Sequence, residues 1–244
     1  MHAKTTVGWP GQARRAEFLV LAAAVFLVLT TAAMLAYPGG AKYALASNGY
    51  RFFQNFFSDL GATRTYSGRS NTTAHVLFII ASVSVGLAMI GFSTTWRTIA
   101  ARRGEGRAFG AVAQVTAVIS GIGFIGVGLT PWDRVLDAHN AFVQLAFGIL
   151  LVFVLCLLAL QLRNAWPPGF VALNVIYLIV LALYVLVLFA GPGLGTKSGL
   201  EFQVAAQKVI VYSSILNLAA QAAGIRREAR AADAPGTFAP DPAS

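Results

Sequence analysis

Six long apolar runs constrain the fold of this chain more than any other feature of its sequence. A helix needs about 20 apolar residues to cross the hydrocarbon core of a bilayer, and each run is long enough. The runs cover residues 16–38, 71–95, 108–130, 139–162, 169–191 and 203–224. Only 11% of the residues are charged, against about 25% in soluble domains. The sequence therefore predicts an all-α, polytopic membrane protein with a bundle of six transmembrane helices.

The basic residues predict how the chain is oriented in a cell membrane. The formal net charge is +9, but the basic residues lie in short segments between the apolar runs and form no single nucleic-acid-binding face. Membrane lipids are the partner that this pattern indicates, and nucleic acid is excluded. Alternate segments differ in their Lys and Arg content, and the richer set is 1–15, 96–107, 163–168 and 225–244. Because basic residues favour the cytoplasmic side, both termini are predicted to be cytoplasmic and residues 39–70 to lie outside.

Three regions follow from this reading. Residues 1–15 form a cytoplasmic segment, residues 16–224 form the transmembrane domain, and residues 225–244 form a cytoplasmic tail. The tail is rich in Ala, Pro and Asp and is predicted to be disordered. The first run exceeds the length of a signal-peptide core, so it is predicted to be a retained helix. The single cysteine, Cys156, excludes an internal disulfide. The oligomeric state stays open.

The longest connection, residues 39–70, carries an aromatic pattern. Phe52, Phe53, Phe56 and Phe57 recur at helical spacing, with polar residues between them. This pattern is typical of a short amphipathic helix that lies at the membrane interface. Gly61 is predicted to end that helix, because glycine commonly follows a helix end.

Polar residues inside apolar runs are costly and therefore informative. On the sixth run they form one stripe within roughly 80° of the helix circumference. The stripe consists of Gln203, Gln207, Ser214, Asn217 and Gln221. It is predicted to face the bundle interior, either as interhelical hydrogen-bonding groups or as the wall of a polar pathway.

A second polar face opens the fourth run. Asp133, Asp137, Asn140 and Gln144 share that face, and His139 lies at its edge. Asp133 alone has a second interpretation as a helix N-cap after Pro131.

These groups share one level at the predicted outer ends of the helices, which suggests an outward-facing polar pocket. The candidate substrate-binding residues are Asn55, Asp133, Asn140, Gln144, Gln203 and Gln207. Carboxylates and histidines in such a pocket can be tuned for acid–base catalysis. The candidate catalytic residues are Ser58, Asp59, His75, Asp137 and His139.

The same pocket contains a candidate zinc site. His75, His139 and Asp59 offer the ligand types that zinc takes in catalytic centres. No metal-ligand spacing such as HExxH supports this hypothesis, and the alternative is that the histidines only form hydrogen bonds. Lys208 is predicted to snorkel outward or to pair with Glu201.

Gly121, Gly123 and Gly126 formally match a dinucleotide-binding fingerprint. That fingerprint requires a strand, a turn and a helix start, whereas these glycines lie within an apolar run. Close helix packing is the predicted role of these small residues.

Two short motifs carry a resemblance to a known family. The first is Asn55-Phe-Phe-Ser-Asp-Leu-Gly61, followed by Asn71, and the second is Gly126-Val-Gly-Leu-Thr-Pro-Trp-Asp133, followed by His139. Over residues 16–224 the chain resembles the prokaryotic six-helix membrane proteins called domain of unknown function 998. That family has no assigned activity. The resemblance implies a six-helix fold and points to the polar motif residues as the ones that matter.

Three functions are consistent with these features. The first is a membrane protein that binds or modifies a lipid headgroup or small amphiphile from the outer side. The second is a transporter or channel that uses the polar stripe of the sixth run. The third is a structural or accessory subunit in which the stripe only joins helices.

Overall fold

A computed structural model describes residues 9–103 and 106–233. It confirms the all-α prediction, because six helices are long and apolar enough to cross a membrane. The helices are α1 (Trp9–Ala36), α2 (Thr72–Phe92), α3 (Thr94–Arg103), α4 (Arg107–Leu129), α5 (Trp132–Arg163), α6 (Pro168–Ala190) and α7 (Lys197–Asp233). The short helix α3 continues the path of α2, so the two together make one span, Thr72–Ala101.

Several boundaries differ from the sequence prediction. Helix α1 begins at Trp9 rather than at residue 16, and α7 begins at Lys197 rather than at residue 203. Helix α5 begins at Trp132 rather than at residue 139, and its first turn contains a non-helical residue, Val135. Helix α7 continues to Asp233, so residues 225–233 of the predicted disordered tail are helical. Residues 1–8 and 234–244, which hold the rest of the two predicted terminal segments, lie outside the described residues.

The helices form a closed ring in chain order. Each spanning helix packs against the next one along the chain, and α7 packs back against α1. The connection between α1 and α2, residues 37–71, lies at one end of the ring and is called the first loop here. The opposite end, where α1 begins and α7 finishes, is called the terminal end.

Glycines let α2 and α4 pack closely against each other. A Cβ atom on Gly121 would lie 2.7 Å from the backbone oxygen of Gly86, and one on Gly86 would lie 2.5 Å from the backbone oxygen of Gly121. A Cβ on Gly123 would come within 2.8 Å of the Ala146 backbone of α5. The helix-packing role predicted for these glycines is therefore confirmed, because a side chain would force the backbones apart.

The first loop differs from its prediction. The segment from Phe52 to Phe56 forms turns rather than an amphipathic helix, and a single 3-10 turn follows at Phe57–Gly61. The polar side chains explain the difference, because they bind the loop backbone. Asn55 Oδ1 accepts from the Arg51 amide at 3.0 Å, and Asp59 Oδ2 accepts from the Phe56 amide at 3.0 Å. Phe57 is buried, whereas Phe53 is exposed.

The contact between α2 and α4 can be tested with a pair of glycine variants. We expect Gly121→Ala to lower the free energy of unfolding by about 1–3 kcal/mol, because the new methyl group overpacks the helix crossing. Gly148→Ala is the matched control, since a Cβ there meets no atom within 4 Å. The control should leave the stability unchanged or raise it slightly. Thermal unfolding in detergent measures both, and equal midpoints for the two variants would contradict this account of the crossing.

Candidate functional site

The first loop is fixed to elements on every side of the loop end of the ring. At the junction with α2, the N-cap residue Asn71 donates from Nδ2 to the backbone oxygens of Leu60 and Ala62 at 3.0 and 2.9 Å. On α7, Gln207 Oε1 accepts from the Phe57 amide at 2.7 Å. Between α6 and α7, the Leu194 oxygen accepts from Lys42 Nζ at 2.9 Å. The loop is therefore a folded cap rather than a flexible connection.

A carboxylate lies at the centre of this cap. Asp59 is 1% exposed, and its Oδ2 accepts from Asn55 Nδ2 and from the Phe56 amide, each at 3.0 Å. Asn55 is itself fully buried and also donates to the Gly40 oxygen at 3.2 Å. Asn55 thus connects the carboxylate to the start of the loop. Asp59 is therefore an interior group rather than a solvated loop charge.

The cation that faces this carboxylate comes from α7. Lys208 is 3% exposed, and its Nζ donates to the Tyr50 hydroxyl at 2.6 Å and to the Asn55 backbone oxygen at 2.8 Å. Its Nζ also lies 4.4, 5.1 and 5.3 Å from the ring centroids of Phe57, Tyr50 and Phe52, in order. Aromatic faces and carbonyl oxygens therefore replace the water that the ammonium group loses. We call Tyr50, Asn55, Asp59 and Lys208 the buried polar cluster.

Burial has a direct electrostatic consequence for Asp59. Loss of water around the carboxylate raises the pKa of Asp59 to about 6. The hydrogen bonds from Asn55 and Phe56 and the charge of Lys208 act in the opposite direction and limit that rise in pKa. The carboxyl group therefore changes charge close to physiological pH.

Lys208 differs from its sequence prediction. It neither snorkels outward nor pairs with Glu201, which instead accepts from Gln54 Nε2 at 3.1 Å and lies 3.8 Å from Lys197 Nζ. The reason is that Lys208 lies on the ring-facing side of α7, directly below the aromatic residues of the first loop. Sequence reasoning also missed Tyr50, whose distance of 158 positions from Lys208 gives no local signal.

The two histidines act separately. His75 Nδ1 lies 2.7 Å from the Gly61 oxygen, and His139 Nδ1 lies 2.7 Å from the Thr130 oxygen. Each ring therefore ties a helix start to the loop before it. Within residues 9–103 and 106–233, no group of three His, Cys, Asp or Glu side chains is placed to hold a metal ion. The structure therefore does not bring His75, His139 and Asp59 together as the predicted group of zinc ligands.

The face predicted on α5 does not reach the buried polar cluster. Asp137, Asn140 and Gln144 are exposed on α5. No hydrogen bond in the described part of the chain joins Ser58, His75 and Asp137. Their proposed catalytic and substrate-binding roles stay predictions.

Asp133 has a different task from the N-cap considered above. Its carboxylate accepts from the Thr63 amide at 2.9 Å, the Thr63 hydroxyl at 2.5 Å and the Arg64 amide at 3.1 Å. The N-cap position belongs to Pro131. Asp133 therefore fixes the first loop to the start of α5.

The polar stripe of α7 is used for contacts along the ring. Gln203 Nε2 donates to the Pro192 oxygen at 2.5 Å, and Ser214 Oγ lies 2.8 Å from the Tyr177 hydroxyl of α6. Gln221 Oε1 accepts from Gln161 Nε2 of α5 at 2.6 Å. Asn217 Nδ2 lies 3.5 Å from Asn174 Oδ1. The stripe thus hydrogen-bonds α7 to its neighbours, as one of the two predicted readings requires.

Below the buried polar cluster, the ring surrounds a half-open cavity of about 130 Å³. All six spans contribute to its lining, which includes Leu19, Phe26, Ala117, Phe147, Val154 and Val211. Polar lining residues come mainly from α6 and α7, and they include Tyr177, Ser214 and Gln221. We call this space the central cavity. It is apolar and central, whereas the sequence predicted a polar pocket that opens outward.

The cap and the central cavity are in contact. Phe26 of the cavity lining lies 6.2 Å, centroid to centroid, from Phe57 of the first loop. Phe57 in turn packs over Lys208 and, at 5.8 Å, against Tyr212. Phe57 therefore links the surroundings of the ammonium group to the lining of the cavity.

At the terminal end, the cavity is lined by a tryptophan whose polar atom lacks a partner. Trp96 is 1% exposed and packs on Trp166 at 5.4 Å. Among the described residues, the indole N–H of Trp96 has no hydrogen-bond acceptor. A buried donor without an acceptor is costly, so the indole of Trp96 is a polar group held inside apolar packing at this end of the ring.

Comparison with family models, curated proteins and solved structures finds no match to this chain. The resemblance to the domain of unknown function 998 therefore stays a prediction.

The charge of Asp59 predicts a pH dependence of stability. Its folded pKa of about 6 lies above its ordinary value of 3.8, so the folded state binds more protons than the unfolded state between these values. Stability from this group is present at low pH and is lost as the pH rises through about 6. We expect this loss, about 3 kcal/mol, to be missing in Asp59→Asn. Asp137→Asn, at an exposed site, should keep the wild-type profile. Thermal unfolding from pH 4 to 8 measures how stability depends on pH. Parallel stability profiles for wild type and Asp59→Asn would refute the assignment of this dependence to Asp59.

Lys208 and Asp59 are predicted to be energetically coupled. Lys208→Met removes the nearest cation, so the pKa of Asp59 should rise further and the protein should lose about 3 kcal/mol of stability at pH 8. Adding Asp59→Asn should restore part of that loss, because no uncompensated buried charge then remains. A double-mutant cycle of unfolding midpoints measures the coupling. Purely additive effects would show that the two charges act independently.

Proposed function

We propose that this integral membrane protein binds one hydrocarbon chain of a lipid-like amphiphile inside its helix ring. The observation that carries the proposal is the central cavity. A water molecule needs about 10–15 Å³ of such space, so the cavity has room for a chain segment of roughly ten non-hydrogen atoms. Its lining is apolar on most sides, which suits a hydrocarbon chain and disfavours an ion or a polar solute.

The distribution of polar groups supports the same function. Hydrogen bonds along the ring occupy the α7 stripe, and the first loop closes the loop end above the cavity. A transporter or channel needs a polar pathway between the two ends of the ring. The side chains of the α7 stripe, which suggested such a pathway, form hydrogen bonds to other parts of the ring instead. A purely structural subunit has no need of a lined space at the centre of its ring, where close packing is the rule.

The proposed orientation follows the positive-inside pattern. With both termini cytoplasmic, the first loop caps the ring on the outer side of a cell membrane and the terminal end faces the inner leaflet. The bound amphiphile then lies below the cap, with its chain in the ring. The proposal assigns no catalytic role to Ser58, His75 or Asp137, because no hydrogen bond between described residues joins them.

Trp96 provides a reporter inside the cavity. The variant used has Trp96 as its only tryptophan, with Trp9, Trp132 and Trp166 changed to Phe. We expect the fluorescence of Trp96 to be quenched in bilayers of phosphatidylcholine with brominated chains. Ala117→Phe fills the cavity and should cut that quenching at least in half. Ala111→Phe, on the exposed side of the same helix, is the matched control and should leave it unchanged. Absence of quenching, or equal quenching in both Phe variants, would refute the proposal.

A further inference from the structure

A groove on the outside of the ring meets the central cavity between α1 and α2. It encloses about 450 Å³. Its lining consists of Arg15, Phe18, Leu21, Ala22, Val25, Ser84, Leu87, Ala88, Gly91 and Phe92. We call it the α1/α2 groove. Three of these residues, Ala22, Ala88 and Phe92, also line the central cavity. The groove and the cavity are therefore separated by a single layer of side chains, two of which are methyl groups.

One end of the groove carries a positive charge. Arg15 lies among the groove residues at the terminal end and is exposed. Its guanidinium donates to the Thr94 hydroxyl at the start of α3, which holds it across the gap between α1 and the α2–α3 span. The other groove residues are uncharged. The groove thus combines one cation near the membrane surface with an apolar path into the bilayer depth.

The boundary between the groove and the cavity lies beyond this cation. Ala22 and Ala88 belong to both linings, and both side chains are small. An amphiphile whose charged group contacts Arg15 would extend its apolar chain between Ala22 and Ala88 into the cavity. Charge and apolar surface are therefore ordered along the path as they are in an anionic lipid.

We propose that the α1/α2 groove is a lateral portal through which an anionic glycerolipid inserts one acyl chain into the central cavity, with its headgroup at Arg15. This inference rests on the proposed function and adds the class of headgroup, the route and the leaflet. The occupant is a lipid because the groove faces the hydrocarbon region. It is anionic because the one charged residue of the groove is a cation.

The Trp96-only protein tests the headgroup. The bilayers consist of unlabelled phosphatidylcholine with an added fraction of either brominated phosphatidylglycerol or brominated phosphatidylcholine. The measured quantity is the added fraction at which the fluorescence of Trp96 is half-maximally quenched. We expect phosphatidylglycerol to be about fivefold more effective, which is the size of effect expected for one basic residue at an anionic surface. Arg15→Gln should make the two lipids equally effective as quenchers, whereas Arg15→Lys should keep most of the preference for phosphatidylglycerol. Arg14→Gln removes an exposed neighbour outside the groove lining and is the matched control.

The route is tested by narrowing the portal. Ala22→Phe should slow or abolish quenching by both lipids, while Ala24→Phe, on the exposed side of α1, should leave it unchanged.

Equal quenching by both headgroups in the wild type, or a preference for phosphatidylglycerol that survives Arg15→Gln, would overturn the portal and leave the proposed function intact. Unchanged quenching in Ala22→Phe would overturn the route. If neither lipid quenches Trp96, the proposed function itself fails, and the portal fails with it.

Discussion

The burial of one ammonium group on α7 determines how the loop end of this protein is built. Lys208 lies in a span, where the nearest bulk water is out of reach and an unsolvated charge is expensive. The first loop supplies what water would otherwise provide: a carbonyl oxygen, a phenol oxygen and three aromatic faces. The conformation of residues 50–59 follows from this task. So does the burial of Asp59, which balances the cation through Asn55.

The ring arrangement separates two environments that a solid bundle would merge. Polar side chains at the loop end are paired with one another, and those of α7 are paired with α5 and α6. The centre is then left to apolar side chains that surround a cavity. Small residues contribute to this arrangement, because glycines allow the close contacts of α4 with α2 at Gly121 and with α5 at Gly123.

The sequence was sufficient for features that depend on local pattern. Six apolar runs gave the six spans, and the stripe of α7 gave its ring-facing side, because both follow from helical periodicity. The glycine positions on α4 were also assigned correctly as packing sites. The failures have two causes. The enclosure of Lys208 and the separation of His75 from His139 depend on contacts between residues far apart in the chain, and a single sequence gives no measure of such contacts. At Phe52 the cause is local, because side-chain oxygens of Asn55 and Asp59 accept hydrogen bonds from loop amides and override the helical spacing of the phenylalanines.

The distance in sequence between the cap and its cation sets an order of assembly. Tyr50 and Asn55 precede Lys208 by 158 and 153 positions, so the first loop is synthesised long before the helix that completes it. During biogenesis the loop is therefore without its final partners, and it stays unfinished until the last span is inserted. Closure of the ring, where α7 meets α1, then coincides with completion of the cap. A chain that lost its last span would retain five helices and an open, unsatisfied loop, which is the kind of exposed surface that membrane quality control removes.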